Sequence, residues 1–201
     1  MELVNPFGTD VDPDDTPDPM TLARHWVGAS VESTLMTLTT VDKHGAPDAR
    51  HVLLSDVTEE AFVFHTDARS RKTAQLEADP RVALALVWRD ELRQLIVLGA
   101  VARTAEDRLD GAFARLPRYL RLLSWVNDDA LAARPAADRR RAFEAFAASH
   151  PGELTRPPWW VGYDVVPERL AFWRGEDAGP SNRLEYVLGA TGGWSARRLA
   201  G

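Results

Sequence analysis

The sequence predicts an α+β fold, with antiparallel strands gathered into one barrel or sandwich and helices packed around it. Three observations predict it. Five β-rich segments follow one another between residues 34 and 103 on short polar connections, a spacing suited to antiparallel neighbours. One clear helical segment interrupts them. A helical middle stretch is then followed by three or four further β-like segments.

Residues 1–17 contain Asp10-Val11-Asp12-Pro13-Asp14-Asp15, too charged and proline-rich for a core element, and read as a mobile acidic arm before a single domain over 18–201. Asp18 and Pro19 offer a cap and an early helical proline for Met20 to Ala29, where Leu22, Trp26 and Val27 recur at helical spacing. From Thr34 the period changes to two. Leu35, Thr37, Thr39 and Val41 alternate with Met36, Leu38 and Thr40 up to the turn Asp42-Lys43-His44-Gly45, and Asp48 to Ser55 returns as the second arm of a hairpin. Ala61 to Thr66 is a third strand, and Ser70 to Ala78 a helix stopped by Asp79-Pro80. Arg81 to Trp88 and Gln94 to Arg103 are longer strands. Glu106 to Arg115 and, past Pro135, Asp138 to Ser149 read as helices, the second with Phe143 and Phe146 on one face. A loop marked by Pro151, Pro157 and Pro158 leads to strands at Trp159 to Val165, Leu170 to Trp173 and Arg183 to Val187, with Trp194 to Leu199 as a fourth.

Composition narrows the function. With 24 basic and 30 acidic residues the net charge is −6, which argues against a nucleic-acid or membrane surface as the main partner. The absence of Cys excludes disulfides, a thiolate nucleophile and Cys-based metal sites. The five His are scattered without a metal-ligand spacing, so no metal is expected. Residues 1–19 lack a basic and apolar leader pattern, no later run approaches a membrane span, and the protein is expected to be cytoplasmic. Trp125, Trp159 and Trp160 are assigned to the core or an interface, the commoner use of Trp in β-rich proteins.

The informative local feature is Ser70-Arg71-Lys72 at the start of a helix. Two cations there oppose the macrodipole, and an anion at that helix end would resolve the conflict, with free N–H groups, a hydroxyl and two cationic heads for a phosphate. The alternative is a solvated surface pair costing a few tenths of a kcal/mol. Arg50, in the neighbouring strand, could point toward the same helix end, or be an edge-strand charge. Gln94 places an amide at the head of Leu95-Ile96-Val97-Leu98, suited to a flavin ring edge or to water.

Together, Arg50-His51-Val52-Leu53-Leu54, Phe64-His65-Thr66, Ser70-Arg71-Lys72, Asp79-Pro80-Arg81-Val82 and Arg93-Gln94 resemble the FMN half of pyridoxamine 5′-phosphate oxidases. Leu170-Ala171-Phe172-Trp173 and Asn182-Arg183-Leu184-Glu185-Tyr186 are similar to that family's carboxy-terminal signature, so the resemblance runs from about Asp18 to Leu199. It implies an FMN-binding split β-barrel, antiparallel and Greek-key-like, forming a homodimer with FMN at the subunit interface, 159–201 being the dimerisation and flavin-contact part. By position, Arg50, Ser70, Arg71 and Lys72 surround the FMN phosphate, supported by Thr66. His51, Val52, Leu53, Ser55 and His65 lie along the ribityl chain and ring, His65 replacing the usual Tyr. Gln94, Trp173 and Arg183 meet the flavin from the ring side or from the partner. A deazaflavin also occupies split barrels, but these three look like the FMN branch.

The substrate side departs from the family. Ser55 replaces the Lys that closes the Arg-x-Val-Leu-Leu motif, and the Tyr, Arg and Ser that grip the substrate phosphate align near Ala112, Leu116 and Leu120. The Arg-x-His pair falls at Gly179 and Ser181, the Gln-Ser pair near Asp129 and Ala130, and the amino-terminal lid motif is missing. Charge-assisted bonds are worth about 1.5 to 3 kcal/mol each, so a B6 phosphate should bind poorly. The expectation is an FMN-dependent oxidoreductase taking hydride onto flavin N5 from a small aromatic or cyclic molecule, with oxygen as acceptor. His65 and Ser181 are acid–base candidates by location. Alternatives are a genuine B6-phosphate oxidase using Arg118, Arg121 or Arg174, and a flavin-binding protein without catalysis.

Overall fold

The computed structural model describes residues 18–28, 34–176 and 178–201, so the expected arm over 1–17 and the end of the first helix at Ala29 lie outside the described residues. Helix α1, Pro19–Val27, starts where Asp18 accepts a hydrogen bond from the Thr21 N–H at 2.9 Å. Nearly all of its side chains are buried, so it acts as a plug. Trp26 meets Phe172 edge-on at 5.0 Å and Trp88 at 6.1 Å.

The strands are β1 Leu35–Val41, β2 Pro47–Leu53, β3 Asp56–Val57, β4 Phe62–Asp67, β5 Arg81–Trp88 and β6 Arg93–Arg103, then β7 Trp160–Arg174, β8 Asn182–Leu188 and β9 Trp194–Ala200. Every ladder is antiparallel, in the order β2-β1-β5-β6-β7-β4-β3, with β8 and β9 branching from β7. β2 and β4, near opposite ends of this path, meet and curl the sheet into the split barrel that the resemblance implies. Met36, Leu38, Leu84, Leu95, Val97 and Phe172 alternate inward and fill it.

The split is made by β7. The two segments expected at its place are one strand of 15 residues, because Pro167 does not break it. The register with β6 slips between Leu98 and Gly99, so Pro167 sits at a bulge where a missing N–H costs nothing. A Cβ at Gly99 would stand 2.0 Å from the Val166 carbonyl oxygen, so only glycine admits this approach. On the far edge of β7, residues 160–165 pair with β4 and residues 169–174 with β8.

Helix α2, Arg71–Ala78, follows β4, and α3, Glu106–Arg115, follows β6. Two helices were not expected from sequence, α4 Arg118–Val126 and the single turn α5 Asp129–Ala132. Helix α6, Ala136–Ser149, packs on α4 with Tyr119 against Phe143 at 5.6 Å. Among the described residues, no helix is long and apolar enough to cross a membrane.

Candidate active site

Two adjoining cavities, of about 630 and 400 Å³, are lined by residues from β2, β4 and the surrounding helices, within the usual range for a cofactor or small-molecule site. They share Leu53, Ser55, His65, Leu116 and Leu120.

One end of the larger cavity carries cations, on a lining that also includes Asp67, Asp128 and Asp129. Ser70 is the residue before α2, yet no side chain caps that helix, which leaves the N–H groups of Arg71 and Lys72 without a cap while that of Thr73 donates to the Ser70 carbonyl at 3.0 Å. Lys72 reaches back from the first turn, its Nζ donating to Thr66 Oγ1 at 3.1 Å. Burial, aided by Arg50, pushes the Lys72 ammonium below the usual lysine range, and among the described residues no carboxylate pairs with it. Arg69 adds a second cation, held in plane by Asp67 at 2.6 and 3.0 Å and stacked 4.2 Å above Trp159. A half-buried ammonium with no carboxylate partner beside uncapped helix N–H groups fits a phosphate.

Ser55, Leu53 and His65 form the middle. His65 Nδ1 lies 2.8 Å from Ser55 Oγ, and its ring stacks on Trp160 at 4.2 Å, the planes 6° apart. Burial, with Arg108 and Arg115 adding to it and Asp164 opposing, lowers its pKa from 6.5 to about 4. The imidazole is neutral at physiological pH. Trp160 in turn meets Phe113 of α3 edge-on at 5.2 Å. Trp159 donates its indole N–H to the Ser124 carbonyl at 2.9 Å, tying the 157–160 segment to α4. Both Trp residues therefore wall the cavity as well as pack the fold.

Other expected residues lie elsewhere. Arg50 lines neither cavity. Its guanidinium is spread over Thr40 Oγ1 and Gln75 Oε1, each at 2.7 Å, and Asp48 at 3.0 Å, a network beneath α2. Arg71 is largely exposed and pairs with the same Asp48 at 3.0 Å. Val52 points into the core, and His51 points to the other face of β2, its Nδ1 3.2 Å from Thr37 Oγ1. Gln94, Trp173 and Arg183 fall opposite one another in a row across β6, β7 and β8, level with Val87, and none of them lines a cavity of its own chain. Gly179 and Ser181, in the β7–β8 connection, line neither cavity. Asp129 and Ala130 do line the larger one.

Residues 27–149 match the family model described as pyridoxamine 5′-phosphate oxidase, and residues 160–201 match the pyridoxine 5′-phosphate oxidase C-terminal dimerisation region. A pyridoxine/pyridoxamine 5′-phosphate oxidase of Chromobacterium violaceum is 36% identical over 191 residues, covering 92% of this chain and 89% of the relative. The chain belongs to the pyridoxamine 5′-phosphate oxidase family. A second relative so named, from Rubrobacter xylanophilus, is 35% identical over 91% of this chain and 87% of its own length. As a member of the family the chain is an FMN-dependent oxidase, and the fit of the phosphate end agrees with that cofactor. Its fold is also that of Burkholderia lata PhzG, solved in complex with tetrahydrophenazine-1-carboxylic acid, with a TM-score of 0.82 at 24% identity over 96% of this chain and 98% of that one. An FMN-binding relative from Nostoc punctiforme superposes with a TM-score of 0.73 at 20% identity, over 92% and 100%.

Sequence reasoning missed Arg69, Asp67 and the α4 residues Leu123 and Ser124 on the larger cavity, and Arg108 and Arg115 on the smaller. Arg69 directly precedes the Ser70-Arg71-Lys72 motif and was within reach. The others depend on where α3 and α4 pack.

Proposed function

We propose that this protein is an FMN-dependent oxidase of a small, planar, non-phosphorylated aromatic or cyclic substrate, working as a homodimer with FMN between the subunits. The observation that carries the substrate class is the wall of the smaller cavity. Ala112, Leu116 and Leu120 line it at the positions where the family grips a phosphate, and Ser55 stands where the family's Lys would be. Three hydrogen-bonding or charged groups are thus replaced by apolar surface, which favours an uncharged ring face over a dianion.

Ser70, Lys72 and Thr66, with Arg69 beside them, would hold the FMN phosphate, and Leu53, Ser55 and His65 would lie along the rest of the cofactor. Bound FMN supplies a hydride acceptor at its ring N5 that oxygen can regenerate. The chain's own residues bind and orient. Neutral His65, fixed by Ser55 and Trp160, offers a hydrogen-bonding nitrogen without placing a charge at the junction of the two cavities.

Support for the shared site comes from the sheet face that carries Thr37, Ala85, Ile96 and Ala171 in one row and Val87, Gln94, Trp173 and Arg183 in another. Its apolar members are small or partly exposed, Val87 at 63%, and the second row contains the three flavin-contact positions that serve neither cavity of their own chain. A second copy laid on this face would bring that row to its partner's cavity.

The second reading, a B6-phosphate oxidase, is favoured by the names of the relatives at 36% identity. Arg118, Arg121 and Arg174 give it little help. None lines either of the two cavities, and Arg118 is occupied by the Gly152 carbonyl at 2.7 Å and by the His150 carbonyl. A graft separates the readings: Ser55→Lys with Leu116→Arg should tighten pyridoxine 5′-phosphate binding about tenfold or more if the grip is missing. An unmodified protein that already binds it tightly, with no gain from the graft, would support the B6 reading instead.

A further inference from the structure

The smaller cavity has a charged feature that the apolar replacements do not explain. Its α3 wall runs Asp107, Gly111, Arg115 at every fourth position, with Arg108 and Ala112 alongside. Gly111 and Ala112 leave space in the middle of that wall, and eight residues of helix put the Asp107 and Arg115 backbones roughly 12 Å apart along the axis, though the Arg115 side chain spans part of that distance. Three other carboxylates near this wall, Glu106, Asp110 and Asp164, have arginine partners, whereas Asp56 and Asp107 have no ion pair among the described residues. Glu106 and Asp110 both pair with Arg156, the latter at 2.8 Å, and Arg108 donates to Asp164 Oδ2 at 2.6 Å, where Thr104 also binds. Asp56, also on the cavity, accepts the Val57 N–H at 2.8 Å.

Arg115 is different. Among the described residues no carboxylate lies within ion-pair distance of it. A guanidinium in the last turn of a helix suits the macrodipole, which accounts for a cation there but not for its direction. The side chain folds back along α3, with Nη1 3.9 Å from where a Gly111 Cβ would stand, and it lines the cavity and acts electrostatically on His65. The cavity therefore combines apolar walls, a neutral imidazole and one guanidinium that, among the described residues, no carboxylate approaches to ion-pair distance, with Asp56 and Asp107 elsewhere on its lining.

We propose that this cavity recognises a planar aromatic carboxylic acid, its single carboxylate held by the Arg115 guanidinium. The inference rests on the non-phosphate aromatic reading above and names its substrate class. One free fork suits a monoanion. The phosphate dianion of a B6 substrate would need more partners than this cavity retains.

Calorimetry with the FMN-loaded protein and two probes of the same shape, 2-naphthoic acid and 2-naphthamide, tests it. The acid should bind about tenfold more tightly than the amide, as expected for one charge-assisted contact. Arg115→Gln should remove that preference by weakening the acid alone, and Arg115→Lys should keep part of it. Equal binding of acid and amide by the unmodified protein would overturn the carboxylate assignment and leave the aromatic pocket standing, as would a preference that survives in Arg115→Gln. Failure of both probes to bind would overturn the assignment together with the aromatic reading.

Discussion

His65 stands where the family usually has Tyr, and burial against Trp160 keeps its imidazole neutral down to about pH 4. An unfolded His takes up its proton near 6.5, so between these values the unfolded chain binds the extra proton and stability rises with pH. The contribution is fully present above pH 6.5 and is lost as pH falls toward 4, about 3 kcal/mol over that interval. The carboxylates of Asp48, held low mainly by the Gln75 amide, and of Asp79, held near 2 by Arg81, destabilise only at lower pH. Urea unfolding at pH 7 and pH 4.5 should therefore show a drop that His65→Gln largely abolishes. An unchanged drop in the variant would mean that other groups carry it. At the phosphate end, Lys72→Met should weaken FMN binding by about 10- to 100-fold, measured by flavin fluorescence, since it removes a desolvated charge-assisted contact. The sequence pointed to this helix end because two cations there contradict the dipole, yet of the two only Lys72 lines the cavity, while Arg71 pairs with Asp48. The partners of Arg50 were not legible, since Gln75 and Asp48 meet its guanidinium under α2 and only the folded register puts them there.

Elements were read where a period or a cap announced them. The Asp18 cap, the β1–β2 hairpin and the limits of β5 and α3 agree with the sequence expectation to within a residue or two. α4 escaped because Pro117 precedes it without a polar cap, and its apolar residues divide between the core, at Leu122, and the cavities, at Leu120 and Leu123. The apolar residues nevertheless recur at strong helical spacing, a signal that the sequence did offer. β7 was split in two because Pro167 normally ends a strand, whereas here a bulge opposite Gly99 absorbs it. Gly99→Ala should cost roughly 2 to 4 kcal/mol, because the new Cβ meets backbone that cannot rotate away. Thermal unfolding checks this, and a loss below about 0.5 kcal/mol would show that the bulge is plastic.

At the scale of the whole molecule, the proposed shared site has each barrel supply one half. Residues 160–201 match a dimerisation region, and the row Gln94, Trp173 and Arg183 lines neither of the two cavities of its own chain. Ile96→Arg, placed in the middle of the outer face, should yield a monomer by light scattering and lose FMN together with the dimer. Retention of full FMN affinity by a monomer would contradict a shared site. The sequence alone could not show this face as a face, because Ala83, Ala85 and Ala171 are as ordinary in a core as in an interface. It becomes visible once the inward positions of the same strands are seen to be filled.

The central claim is that an intact FMN site is joined to a substrate cavity that no longer holds a phosphate. Anaerobic mixing of the FMN-loaded dimer with pyridoxine 5′-phosphate, followed at the flavin absorption band, tests it most directly. The band should persist with this donor and bleach with a reduced aromatic acid, whereas rapid, saturable bleaching by pyridoxine 5′-phosphate would contradict the claim.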